Sequence, residues 1–230
     1  MIIYCMSDIH GCLAEFEDAL SLVLDDIEQG KAKLVLLGDY IHGGPDNRGV
    51  LDRIMRLRER FGSDRIIALL GNHDEWVVNG SSTISNNSVY ARIEEWEDES
   101  DDDEYINWLS SLPLYYVEGN PIFVHAGIDE EAGDMWEWET SEDVFTSKYP
   151  AETGKIEGLD MKVVAGHVGT AEISGDKFFH DIYFDGESHY YIDGTVLDSG
   201  VIPVLMVDTE NDEYYQVTDS GKRLIEPYEE

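Results

Sequence analysis

The chain has 230 residues, 42% of them hydrophobic, with five Trp, thirteen Tyr and seven Phe, a composition that excludes a disordered polypeptide and supplies a sizeable core. Fifteen Lys and Arg against fifty Asp and Glu leave a net charge of −35, which excludes a protein whose main partner is nucleic acid, because phosphate contacts need clustered cations. No apolar run reaches the roughly 18 residues of a membrane span, and the start lacks a basic-then-apolar signal pattern, so one cytoplasmic domain over 1–230, without membrane contact, is expected.

Met1 to Met6 is short and almost wholly apolar, and reads as a buried strand that breaks at Ser7-Asp8-Ile9-His10-Gly11. In extended chain, positions i and i+2 share a face, so Asp8 and His10 can offer a carboxylate oxygen and an imidazole nitrogen to one ion. From Cys12 to Gly30 the period changes to 3.6, with Leu13, Phe16, Leu20, Val23, Leu24 and Ile27 on one stripe of a helix. Lys33 to Leu37 is a second strand, breaking at Gly38-Asp39; strand, helix and strand at this spacing predict a βαβ unit with a buried parallel pair. Residues 40–48 form a turn-rich loop that carries His42, Gly43 and Arg48, before an amphipathic helix with Val50, Leu51, Ile54 and Leu57 inward. Arg65 to Leu70 is a third strand, ending at Gly71-Asn72-His73-Asp74.

Residues 76–118 are less regular and read as a small acidic cap inserted beside the site. A polar loop from Gly80 to Ser88 leads to a helical region from Ala91 to Leu112, whose run of Asp and Glu reads as a solvated face. Pro121–Val124 and Met161–Ala165 are further strands, ending at His125-Ala126-Gly127 and Gly166-His167. In the tail, Tyr190–Ile192, Val201–Val207 and Tyr214–Val217 alternate like antiparallel strands and are expected to pair in a second sheet.

Five strands thus end in turns that bear metal-competent side chains: Asp8/His10, Asp39, Asn72/His73, His125 and His167. In open α/β sheets the crevice outside the carboxyl ends of the strands is where sites assemble. The donors are nitrogen and oxygen only, which suits hard or borderline divalent cations. Two ions account for the inventory, one held by Asp8, His10 and Asp39, the other by Asp39, Asn72, His125 and His167, with Asp39 bridging. Two such ions about 3.5–4 Å apart polarise a phosphoryl oxygen and activate a water for in-line attack. His73, beside Asn72, is then free to protonate the leaving oxygen.

Asp8-Ile9-His10-Gly11, Gly38-Asp39, Gly71-Asn72-His73-Asp74, His125-Ala126-Gly127 and Gly166-His167, in this order, resemble the calcineurin-like metallophosphoesterases. Within them the chain is similar to bacterial and phage-type serine/threonine phosphatases. The resemblance implies an α/β fold of two packed β-sheets flanked by helices, and a dinuclear site filled by manganese, iron or zinc, with manganese first. It also supports the two ligand sets and His73 as general acid. The chain departs from the pattern in the second motif, Gly38-Asp-Tyr-Ile-His-Gly-Gly44. There His42 stands where relatives carry the Asp that orients the catalytic histidine, and Gly43 replaces a phosphate-gripping Arg. Trp138 occupies the region of a second such Arg. His42 is therefore open to two roles, a hydrogen bond to His73 or direct contact with substrate, against a plain place in the loop. Arg48 is the nearest substitute for the lost phosphate contacts, beside Asn72. An arginine restored at position 43 is expected to improve monoester turnover.

The leading expectation is a metal-dependent phosphoester hydrolase of the serine/threonine-phosphatase type, acting on a phosphoprotein or small phosphoester. A symmetrical dinucleoside-tetraphosphate hydrolase is the nearest alternative, ranked lower because its polyanionic substrate asks for cations. A catalytically weak, metal-holding binding or regulatory module is the rival from another class, separated by whether His73→Ala changes turnover.

Overall fold

The computed structural model describes residues 1–85 and 102–229. The first half runs β1 (Ile2–Met6), α1 (Leu13–Ser21), α2 (Leu24–Glu28), β2 (Ala32–Leu36), α3 (Asn47–Phe61), β3 (Ile66–Ala68) and α4 (Asn72–Val78). Then come α5 (Asp103–Leu109), β4 (Tyr115–Val117), β5 (Pro121–Val124), α6 (Trp136–Glu139), α7 (Glu142–Ser147), β6 (Lys162–Ala165) and α8 (Thr170–Ser174). The chain closes with β7 (Tyr183–Phe184), β8 (His189–Tyr191), α9 (Val196–Ser199), β9 (Val204–Asp208), β10 (Glu213–Thr218) and β11 (Gly221–Leu224).

These strands make two mixed sheets, ordered β11-β10-β9-β1-β2-β3 and β4-β5-β6-β8-β7. In the first, β1, β2 and β3 run parallel, as the βαβ reading expects. Alternation along each strand builds the layers. Ile3, Cys5, Val35, Leu37 and Ile67 face the second sheet and pack on Phe123, Val164, Tyr190 and Ile192. Tyr4, Met6, Leu34, Leu36 and Ile66 face the other way, under Phe16, Leu20, Leu51 and Ile54 of the helices. On its far side the second sheet carries Val124, Val163 and Tyr191 beneath Trp136 and Phe145. With both faces covered, the strands need the near-continuous apolar runs they have.

Three expectations need correction or limits. The single helix over Cys12–Gly30 is two, because Leu22 and Val23 donate to Ala19 and Leu20 at i−3, tightening the turn and swinging Val23 into the core at 1% exposure. Beyond β8, the tail does not pair within the second sheet. β9 lies antiparallel beside β1, and β10 and β11 extend that first sheet, because Val204, Leu205, Met206 and Val207 are buried on both strand faces, as a place next to β1 requires. Only β8 joins the second sheet, parallel to β6. Within 76–118, β4 pairs with β5 and Leu109 and Leu112 are buried in the helix-side core, while residues 86–101, with most of the acidic run, lie outside the described residues. No helix among the described residues is long and apolar enough to cross a membrane.

Candidate metal centre

The turns after β1, β2, β3, β5 and β6 bring their polar side chains together, three from the first sheet and two from the second. His10 Nε2 lies 3.9 Å from Asp8 Oδ1 and 3.8 Å from Asp39 Oδ2. His125 Nε2 is 3.5 Å from Asp39 Oδ1 and 3.0 Å from Asn72 Oδ1. The His167 ring centroid is 5.1 Å from that of His125, and the His167 backbone N–H donates to Asp8 Oδ2 at 3.0 Å. Ligand atoms of Asp39, His125 and His167 lie within 4.8 Å of one another, and so do those of His10, Asp39 and His73. Asp39 is common to both groups; the second holds His73, which the sequence reading keeps out of both ligand sets, and not Asp8.

The backbone is bent to achieve this. Asp8, His10, Asp39, His42 and His167 all sit in the left-handed region, at φ of 53°, 50°, 55°, 73° and 64°. Non-glycine residues persist there when the surroundings over-determine them, and such residues cluster at functional sites. The Asp74 carboxylate supplies part of that determination, accepting from the backbone N–H of Asp39 at 2.8 Å, Tyr40 at 3.1 Å and Gly71 at 3.2 Å. Two glycines allow the close approach. A Cβ on Gly71 would overlap the Asp39 carboxylate, and one on Gly166 would overlap Ser7 Oγ and Asp8 Oδ2.

Four buried carboxylates crowd this corner. Burial pushes the Asp8 carboxyl up to about 6, against hydrogen bonds from Ser7 and His167. Asp39 is held well above the usual carboxylate range by burial and then by the charges of Asp8 and Asp74. Burial raises Asp74 to about 7, and burial with the charge of Asp8 raises Asp193 to about 7. The imidazoles are driven the other way: burial and the charges of His10, His42 and His167 lower His73 to about 3. Asp8 and Asp39 pair with histidines and with no lysine or arginine among the described residues. Neutral nitrogen donors and uncompensated carboxylates aimed at one volume fit divalent cations.

The structure thus brings together Asp8, His10, Asp39, Asn72, His125 and His167. It also places His73 Nδ1 3.0 Å from His42 Nδ1, one of the two roles the sequence leaves open for His42. Arg48 stands in the first turn of α3 with Nη2 2.9 Å from Asp102 Oδ1, where a carboxylate competes for the charge a phosphate needs. Trp138 is 80% exposed on α6. Gly43 has φ 102° and a Cβ there would strike Leu197, so a restored arginine meets strain as well as crowding. Sequence reasoning missed Asp74, Asp193 and Trp76. Asp193-Gly194 follows the apolar Tyr190–Ile192 as Asp39 follows its strand, a signal that was available. Trp76 lies three residues after His73 on α4, on the same helix face, with ring centroids 4.3 Å apart.

Residues 1–201 match the family model of the calcineurin-like phosphoesterases. A symmetrical bis(5'-nucleosyl)-tetraphosphatase from Nitrosospira multiformis is 37% identical over 131 residues, 56% of this chain and 44% of that protein. Its counterpart from Enterobacter sp. (strain 638) is 34% identical over 145 residues, 62% of this chain and 48% of that one. The chain spans about half the length of these curated relatives. Among solved structures, a candidate diadenosine tetraphosphatase superposes with a TM-score of 0.62 at 20% identity, over 99% of this chain and 94% of that one. The cold-active protein tyrosine phosphatase of a Shewanella species does so with 0.64 at 14%, over 98% and 80%. These two likenesses show the fold, two mixed sheets flanked by helices. By the match across residues 1–201, the chain belongs to the calcineurin-like phosphoesterase family.

Proposed function

We propose that this metallophosphoesterase hydrolyses dinucleoside tetraphosphates, using two divalent cations, manganese first and iron or zinc next, and His73 as general acid. The observation that carries the reading is the convergence of Asp8, His10, Asp39, Asn72, His125 and His167 from two sheets on one buried volume. In this reading Asp8, His10 and Asp39 hold one ion and Asp39, Asn72, His125 and His167 the other. Bound there, the cations would polarise phosphoryl oxygens and activate water for attack. His73 stands at the edge of the cluster, its ring centroid 4.9 Å from that of His10, within reach of a leaving oxygen. The curated relatives support a dinucleoside tetraphosphate over a phosphoprotein; Gly43 and the solvent-facing Trp138 offer no cation to either substrate. We place the chain as one domain, 1–230, with 76–118 as a cap at this site; its Ser82 and Thr83 reach His42.

The test is turnover of a dinucleoside tetraphosphate, an aryl phosphate monoester and an aryl phosphodiester with added manganese. Symmetrical cleavage of the tetraphosphate, with the highest kcat/KM of the three and lost in His73→Ala, is expected. Preference for the monoester or a phosphopeptide would return the serine/threonine phosphatase reading. Equal inertness of wild type and His73→Ala on all three would leave a binding module.

A further inference from the structure

The heavy-atom distances around His42 determine where its proton sits. His42 Nε2 lies 3.0 Å from the Thr83 carbonyl oxygen, and a carbonyl can only accept, so Nε2 carries the hydrogen. Ser82 Oγ, 3.1 Å from the same nitrogen, turns a lone pair toward it. In the neutral ring the other nitrogen, Nδ1, is then an acceptor. That acceptor is 3.0 Å from His73 Nδ1, which must therefore be the donor. His73 is left with Nε2 as its one atom able to exchange a proton with substrate.

We propose that His42 is a positioning residue: held by the Thr83 carbonyl in its Nε2–H form, it fixes His73 as the Nδ1–H tautomer and aims His73 Nε2 at the leaving oxygen. The inference rests on His73 being the acid. The surrounding loops are tied for this purpose. The His42 backbone N–H donates to Asn47 Oδ1 at 3.0 Å, and Asn47 Nδ2 donates to the Ile84 and Ser85 carbonyls at 3.0 and 3.1 Å. One side chain thus joins the loop that carries His42 to the segment that carries Thr83. Trp76 lies against the His73 ring and accepts the Ser81 and Ser82 N–H groups at its own carbonyl. In the reaction, water forms the new bond to phosphorus as the bond to the leaving group breaks. The leaving oxygen keeps that electron pair and takes the proton from His73 Nε2. Nε2 holds that proton only in the imidazolium, whose Nδ1–H still points at His42 Nδ1; giving it up returns His73 to the neutral Nδ1–H form, and the proton released by the water recharges Nε2 for the next turnover.

Long-range proton–nitrogen correlation on histidine-labelled, zinc-loaded protein reads the tautomers directly. His73 should show hydrogen on Nδ1 and His42 on Nε2. His42→Asn places an amide oxygen where Nδ1 stood, so it should keep the His73 tautomer and most of kcat. His42→Gln and His42→Ala should mix the His73 tautomers and lower kcat by about 10²-fold, the scale of a general acid, with KM nearly unchanged. An Nε2–H His73 in the wild type overturns the proposal even if no variant folds. So does an unmixed Nδ1–H His73 in His42→Ala, or an asparagine variant as impaired as the alanine one. Full activity of His73→Ala would sink the acid reading while leaving the tautomers standing, which separates the two failures.

Discussion

Strand β8 has a charged cluster at each end, made from the same residue types and organised in opposite ways. At its start, His189 Nδ1 is 2.8 Å from Asp185 Oδ2, and the N–H groups of Gly154, Glu187 and His189 donate to the same carboxylate at 2.7, 2.8 and 3.0 Å. His189 Nε2 faces Glu130 Oε1 at 3.5 Å, and Lys148 pairs with Glu130. Burial pushes the Asp185 carboxyl up, yet the donors from His189, Glu187 and Gly154 hold it below its ordinary range. Past the other end of β8, Asp193 joins Asp8, Asp39 and Asp74, all held above theirs. A buried Asp beside a His is thus not by itself a site. In the first cluster the Asp185 carboxylate is closed by its own donors, although His189 Nε2 and Glu130 Oε1 stay buried without a hydrogen bond; the second presents acceptors and lone pairs to a shared volume.

The sharpest way to break this comparison is to neutralise one carboxylate in each cluster. Asp39→Asn should lower kcat/KM by at least about 10³-fold, the several kcal/mol that cation charge stabilisation provides. Asp185→Asn should leave turnover within about threefold, while unfolding becomes easier by about 1–3 kcal/mol through orphaned donors. Similar kinetic losses in both variants would erase the distinction.

The pH dependence of stability separates the clusters by sign. A buried carboxyl with a raised pKa binds its proton more tightly when folded, so its contribution is present at low pH and lost as pH rises through the folded value. Asp8 at about 6 and Asp74 and Asp193 at about 7, against an ordinary carboxylate value of about 4 when unfolded, predict a falling Tm for chelator-treated protein between about pH 4 and 7. Manganese should abolish that fall. Asp185 is depressed, so its contribution is present above the ordinary carboxylate range and lost as pH drops through its folded value; manganese should not change that acid limb. A fall between about pH 4 and 7 that is indifferent to cations would contradict the assignment of the acidic corner.

Smaller effects follow at the edges. Gly43→Ala, forced to φ 102° and against Leu197, should cost about 1–3 kcal/mol of stability, measured by urea unfolding. Arg48→Ala breaks a partly exposed pair with Asp102 and should change stability by no more than about 1 kcal/mol, with KM nearly unmoved.

The candidate site was legible in the sequence because each candidate follows a short apolar strand with a glycine in or next to the same turn, and strand ends in a parallel sheet share one edge. Asp8, Asp39, His125 and His167 declare themselves that way. Sheet membership of the tail was less legible, since alternation marks Val204–Val207 as strand without saying that β1 is its neighbour. The partners of His42 and Arg48 are long-range, with Thr83 and Asp102 separated from them by dozens of residues, and no local pattern announces such pairs. Trp76 and Asp74 were hidden differently, because an i+3 aromatic and a buried scaffold carboxylate read as ordinary helix residues.

Anomalous diffraction from manganese-soaked crystals tests the central claim most directly. Two peaks sharing Asp39, one beside Asp8 and His10 and the other beside Asn72, His125 and His167, are predicted. A lone peak in the Asp185–His189–Glu130 cluster, or none near Asp39, would contradict the account.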